Sequence, residues 1–356
     1  MKYLEVNIGP LSSFGSLQYY LGAKMTELRE SYIRGESPEV IWDFRNVQYK
    51  RFKISALTAF VSLAKKVSDY TGRPTKVILA WDPNLLGLWK DIGLFEISDR
   101  FGIFEWPKGM IGGYNSGNTN ESTKILYFSD YRSAQDFDDV EDLIDFKIEL
   151  KQKIFPNLLL RTSSILKNFR NQDFVVKVAN ATVELIVNAL VHSEDIAFVA
   201  FQSSRTGVTI AVCDSGIGFP RSLKKSYPHL TNNKLLSHQE AVLLGCIIKQ
   251  KSMGLRYVID DILNIKTIKY EDINKNYGWI NISSYNAEFR WQRELWEKAK
   301  DGVNQHDNDS FELKVKNILG PSKVFLDPED YIKGYWKIHD HRLIGTRISF
   351  EIKKEF

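Results

Sequence analysis

Cysteine is scarce: Cys213 and Cys246 are the only two in 356 residues, which excludes a disulfide framework, and neither stands in a Cys-x-x-Cys pair or a Cys/His cluster. That usage suits a reducing cytosol, so a cytoplasmic protein is the expectation. An excess of one charge sign is also lacking. Lys and Arg number 48 against 44 Asp and Glu, interspersed to a formal +4, so there is no electrostatic case for a nucleic-acid partner. No hydrophobic run approaches the length of a membrane span, and Met1-Lys-Tyr-Leu-Glu carries no apolar core behind its charge, so neither a membrane nor a secretory leader is expected. Internal repeats and low-complexity tracts are absent too. What is abundant is apolar surface: 43% hydrophobic residues over this length suffice for the cores of two ordinary domains.

The pattern reads as α/β throughout. Residues 40–44 form a short buried strand, followed by a helix whose apolar positions Ile54, Leu57, Phe60, Val61, Ala64 and Val67 recur at helical spacing. Gly72-Arg-Pro stops that helix before a second strand at 76–80, and a helix over 84–91 completes a small α/β domain ending near Trp106. Residues 107–123 hold four glycines and read as a loop. The division predicted is a first domain over 1–115, a linker and helical connector over 116–168, and a second domain over 169–356 with a polar insertion at about 298–341. Within the second domain a helix carries Val176, Ala179, Val183, Ile186, Val187 and Leu190 on one stripe, and strands follow at 196–203, 207–213, 278–285 and 345–352.

Chemistry concentrates in two runs. Glu184, Asn188 and His192 are four residues apart, so on a helix they make a polar line beside the apolar stripe. Alone, Glu184 and Asn188 read as an ordinary exposed helix face. About twenty residues later, Asp214 ends an alternating strand and opens Asp-Ser-Gly-Ile-Gly, with Gly216 and Gly218 allowing a tight turn that a flat base could approach. The neutral amide of Asn188 suits Mg²⁺, which takes oxygen ligands and shares them with phosphates and water. Glu184 can accept a proton from a group attacking a terminal phosphate. A third run, Ser252-Met-Gly254-Leu255, opens another apolar helix, where backbone N–H groups bind phosphate oxygens.

In order and spacing, Glu184-x-x-x-Asn188, Asp214-x-Gly216-x-Gly218, Gly254-Leu255 and Gly345-Thr346 before a strand resemble the motifs of the GHKL ATPases. That superfamily includes histidine kinases, type II topoisomerases, heat-shock chaperones, mismatch-repair ATPases and anti-sigma serine kinases, and the resemblance covers roughly residues 169–356. It implies a Bergerat α/β sandwich binding ATP and Mg²⁺, with Asn188 on the metal, Asp214 on adenine, Thr346 supporting that contact through its hydroxyl, and Glu184 as general base. Gly216, Gly218, Ser252, Gly254 and Leu255 complete the nucleotide-binding set. Ser252 departs from the family's pattern, standing where the second glycine motif has its first glycine. The segment between Gly218 and Ser252, the family's lid, is short and rich in lysine (Lys224, Lys225, Lys234, Lys249, Lys251). No His-Glu phosphoacceptor precedes Glu184, which argues against a sensor histidine kinase.

Residues 38–106 are similar, more weakly, to STAS (anti-sigma-antagonist) domains, and Ser55 lies near where such domains carry a phosphorylatable serine, although a helix-start serine is more often a cap. Together the two resemblances imply an ATP-dependent regulator acting on a protein partner by hydrolysis or by Ser/Thr kinase-like phosphoryl transfer. Another STAS protein or a sigma-factor-pathway protein is the partner class they suggest, and a homodimer is compatible with them. The alternative is a non-catalytic nucleotide sensor whose bound lid forms a protein-binding surface.

Overall fold

The computed structural model describes residues 3–79, 82–109, 124–130, 132, 136–137, 139–167, 172–193, 195–204, 207–226, 237–247, 254–263, 278–304 and 336–353. Two sheets organise them. Strands β1 (Tyr3–Asn7), β2 (Glu39–Asp43), β3 (Thr75–Ile78) and β4 (Phe104–Glu105) form a parallel sheet in chain order. They are joined by α1 (Phe14–Ile33), α2 (Ile54–Thr71), and the pair α3 (Pro83–Asp91) and α4 (Leu94–Phe101). When each strand neighbours its successor, right-handed crossovers put every connecting helix on one face. β1 carries the signature of one covered face, with Leu4 and Val6 buried between exposed Tyr3, Glu5 and Asn7. Local chemistry sets the boundaries: Asp82 accepts from the N–H groups of Asn84 and Leu85, and Pro83 occupies the first turn of α3. Ser55 is not a cap. Lys53 holds that position on α2 without a side-chain hydrogen bond, and Ser55 lies inside the first turn.

The second sheet has the order β5 (Leu126–Phe128), β6 (Ala197–Ser203), β7 (Gly207–Asp214), β9 (Trp336–Lys353), β8 (Gly278–Trp291), and every neighbouring pair is antiparallel. Helices α5 (Val140–Ile165), α6 (Gln172–Ser193), α8 (His238–Ile247) and α9 (Leu255–Leu263) contribute to the core on one face, with α7 (Gly218–Ser226) and α10 (Arg293–Asn304) beside them. Its other face is covered by the first unit: α1 lies against β9, and α2 against β6 and β7. Strand alternation therefore feeds two cores. Val199, Phe201, Val208, Ile210 and Val212 join the core around α6, whereas Phe198, Ala200, Ala211 and Cys213 join the core of the parallel sheet. Polar contacts cross the same seam. Ser62 Oγ and Ser215 Oγ lie 2.7 Å apart, Lys66 Nζ pairs with Asp195 Oδ2 at 3.1 Å, and Gln18 Nε2 donates to the His341 carbonyl. The chain is thus a mixed α/β structure with one parallel and one antiparallel sheet, layered alternately with helices.

Several expectations change. β1 and α1 were not visible in the sequence pattern; the helical connector is present as α5, but the stretch before it read as a linker supplies β5, and both are built onto the antiparallel sheet. The polar insertion begins and ends in regular structure, in α10 and in β9, while 305–335 lies outside the described residues. The segment read as a lid contains α8, which is core, because Ala241, Val242, Leu243 and Leu244 are all buried. Contrary to the expected absence of any span-length apolar run, α6 is long and apolar enough to cross a membrane; 78% of its apolar window is buried inside the fold, as in a core helix.

Candidate functional site

The helix α6 is enclosed from Ala181 to Val187, with the sheet on one side and α5 and α9 beside it. Glu184, which taken alone reads as part of an exposed helix face, is only 3% exposed. A buried carboxylate needs partners, and two come to it. Lys151 of α5 places Nζ 2.5 Å from Glu184 Oε2, and Asn188 Nδ2 donates to Glu184 Oε1 at 3.3 Å. The second bond fixes the Asn188 amide and leaves its oxygen as the atom available to a ligand. One turn later His192 accepts through Nε2 from Lys147 Nζ at 3.1 Å. Burial lowers the Lys147 pKa, opposed by the Glu184 charge and assisted by Lys151. Burial and then the Lys147 charge push His192 down to about 3, so its imidazole is neutral at physiological pH. Lys147 and Lys151 went unrecognised in the sequence. Their signal was present: they are four apart, flanked by Phe146, Leu150 and Ile154, which face the core.

Across the cleft, Asp214 ends β7 opposite Thr346 of β9. Its Oδ1 accepts from the backbone N–H of Gly216 at 2.9 Å and of Thr346 at 3.2 Å. Thr346 therefore supports Asp214 through its main chain. Both bonds fall on one oxygen, so Oδ2 is the oxygen left for a ligand. Asp214 is 4% exposed, and burial raises its pKa to about 7 despite those two bonds and the nearby Arg347. Arg347, also buried, does not pair with it directly; its Nη2 donates to the carbonyls of Leu343 and Ile344.

The glycines serve the protein's own packing. A Cβ on Gly216 would sit 1.9 Å from the Ser193 carbonyl oxygen, so the loop after Asp214 lies backbone to backbone on the end of α6. Gly345, at φ +90°, would place a Cβ 2.1 Å from the Asp214 carbonyl. For Gly216, then, the space that glycine opens is taken by Ser193 and not by a flat ligand. Gly216→Ala is expected to cost about 2–4 kcal/mol in urea unfolding, because no flexible side chain can yield. Gly87→Ala, in α3 with nothing within 4 Å, is expected to be neutral or slightly stabilising, and equal losses in the two variants would remove this role for Gly216.

Asn188, His192, Asp214, Gly218, Leu255 and Thr346 all line one cleft of about 780 Å³ including its open mouth, with Phe219 and Leu185 among its apolar lining. The fold thus brings these together, whereas Glu184, behind Asn188, and Gly216, packed on Ser193, are not among the lining residues. Gly254 is buried just before α9, and Ser252, with Lys234, Lys249 and Lys251 of the lid segment, lies outside the described residues. Among the described residues no group of three or more His, Cys, Asp or Glu side chains could hold a metal ion. A cation here would take most of its ligands from phosphates and water, which is the manner of Mg²⁺. Searches against known protein families, curated proteins and solved structures find no match to this chain.

Proposed function

We propose that this cleft binds Mg·ATP and that the chain is a GHKL-type, nucleotide-dependent regulator of a protein partner. The observation that carries the reading is the meeting, in one partly apolar cleft, of an anchored buried carboxylate, Asp214, and Asn188, whose amide is held from behind the lining by Glu184. A carboxylate oxygen fixed at the end of a strand accepts from an exocyclic amine, while Phe219, Leu185 and Leu255 offer apolar contact to a base. The Asn188 oxygen fits a magnesium ion that arrives with the phosphates, and the ion supplies charge neutralisation on them when bound. Glu184 then takes the proton of an attacking water or Ser/Thr hydroxyl as the bond to the terminal phosphorus forms and ADP departs. The antiparallel sheet with helices on one face supports the Bergerat reading. On this reading the chain has two domains, the first STAS-like, whose helices α1 and α2 cover the face of the nucleotide domain away from α6. Their contact with Ser215 and Asp195 supports a regulatory role for that first domain.

The reading is tested by titrating Mg·ATP across pH. Because Asp214 is raised to about 7 and the amine contact favours its ionised form, affinity is expected to fall about tenfold per pH unit below that value and to level off above it. Asp214→Asn removes this slope, and comparing the two profiles subtracts the titration of the nucleotide's own phosphates. Identical profiles in wild type and variant would take Asp214 out of the contact.

A further inference from the structure

A second cavity lies on the opposite face of the antiparallel sheet, about 990 Å³ including its mouth, between β8 and β9 and the first turns of α1 and α2. We propose that it binds a phosphate group, as inorganic phosphate or a small phosphomonoester. The proposal does not rest on the nucleotide reading.

Three cationic side chains line this cavity, Lys53, Arg290 and Lys337. Among the described residues none of them has a carboxylate within ion-pair distance. The Arg290 guanidinium instead lies over the Trp279 ring at 4.4 Å, and its buried Nε has no hydrogen-bond partner. Ser55 of α2 and Ser349 of β9 are each 9% exposed, both line the cavity, and neither hydroxyl has a hydrogen-bond partner among the described residues. The first N–H of α2, that of Ile54, is taken by Gln202 Oε1 at 3.2 Å, so the cationic side chains carry the positive character of this wall.

Two carboxylates also line the cavity. Glu288, which accepts from His339 Nε2 at 2.9 Å and Asn281 Nδ2 at 2.8 Å, stays ionised and interacts with Lys337, and Glu351 is the second, so three cations stand against two carboxylates. The balance is therefore cationic and hydrogen-bond donating. An acceptor-only oxyanion able to take bonds from several directions is the ligand that satisfies it, and phosphate is that chemistry. Ser55 was singled out in the sequence for lying near where STAS domains carry a phosphorylatable serine; here its hydroxyl is one donor of the proposed site.

The test is calorimetric titration of the full chain with inorganic phosphate and with glycerol phosphate, without nucleotide, at near-physiological salt so that diffuse surface binding is screened. Saturable one-site binding is expected, weakened about tenfold or more in Lys53→Gln/Lys337→Gln, whose side chains sit on exposed positions and leave the fold intact. Asp214→Asn, in the other cleft, is expected to leave this binding unchanged. Tighter binding of either probe supports the proposal and names the source of the phosphate. Absence of saturable binding by both probes, unchanged affinity in the double variant, or loss in Asp214→Asn would overturn it.

Discussion

Asp214→Asn is expected to weaken adenine-nucleotide binding by about 10–150-fold while making the unliganded protein more stable. The two effects have one cause. A charge-assisted hydrogen bond contributes about 1.5–3 kcal/mol, and the amide cannot reproduce it toward an amine donor. In the free protein, however, the carboxylate is desolvated, and its pKa is raised from 3.8 to about 7. A carboxyl whose folded-state pKa is raised holds its proton more tightly folded than unfolded. Its contribution therefore falls as pH climbs from about 4 to 7 and is flat above, by roughly 4 kcal/mol at most. The asparagine retains an oxygen for the Gly216 and Thr346 N–H groups and carries no charge to bury. Denaturant unfolding at pH 8 is expected to show the variant ahead of wild type, with the gap closing toward pH 4. A variant that loses both binding and stability at pH 8 would mean that Asp214 is a structural ion and not a binding group.

Glu184→Gln is expected to lower turnover of the terminal phosphate by about 10²–10⁴-fold, the range for a lost general base, with Mg·ATP affinity changed only a few-fold. Its ion pair with Lys151 makes a stability comparison informative. Lys151→Met strands a buried carboxylate and is expected to cost about 3–5 kcal/mol in denaturant unfolding. Glu184→Gln instead leaves a lysine that is a quarter exposed and free to hydrate, so it costs less. Turnover equal in wild type and Glu184→Gln removes Glu184 from the chemistry. ATP bound but left intact by both moves the protein to the sensor reading.

Much of this cleft was legible because its parts are local. The four-residue spacing of Glu184, Asn188 and His192 fixes one helix face, and alternation through Val208, Ile210 and Val212 delivers Asp214 to a strand end. What stayed hidden depends on contacts distant in sequence. The burial of Glu184 comes from α5 packing on α6, and nothing near Glu184 announces Lys151. Likewise Ala200, Ala211 and Cys213 look neutral in the sequence; only the docking of α2 shows that their face of the sheet is a core. β1 is short and alternates, and α1 has its apolar residues spread around its circumference, so neither stood out before the parallel sheet gave it a partner. The cap expected of Ser55 failed because the preceding chain places Lys53 at that position, leaving the hydroxyl for the second cavity.

Amide hydrogen exchange of the full chain with and without saturating Mg·ATP tests the central claim most directly. Protection is expected in the end of α6 around 188–193, in the 214–219 loop, in the first turn of α9 and at 345–347, with the parallel sheet unchanged. Protection centred elsewhere, or none at saturating nucleotide, would contradict the placement of ATP in this cleft.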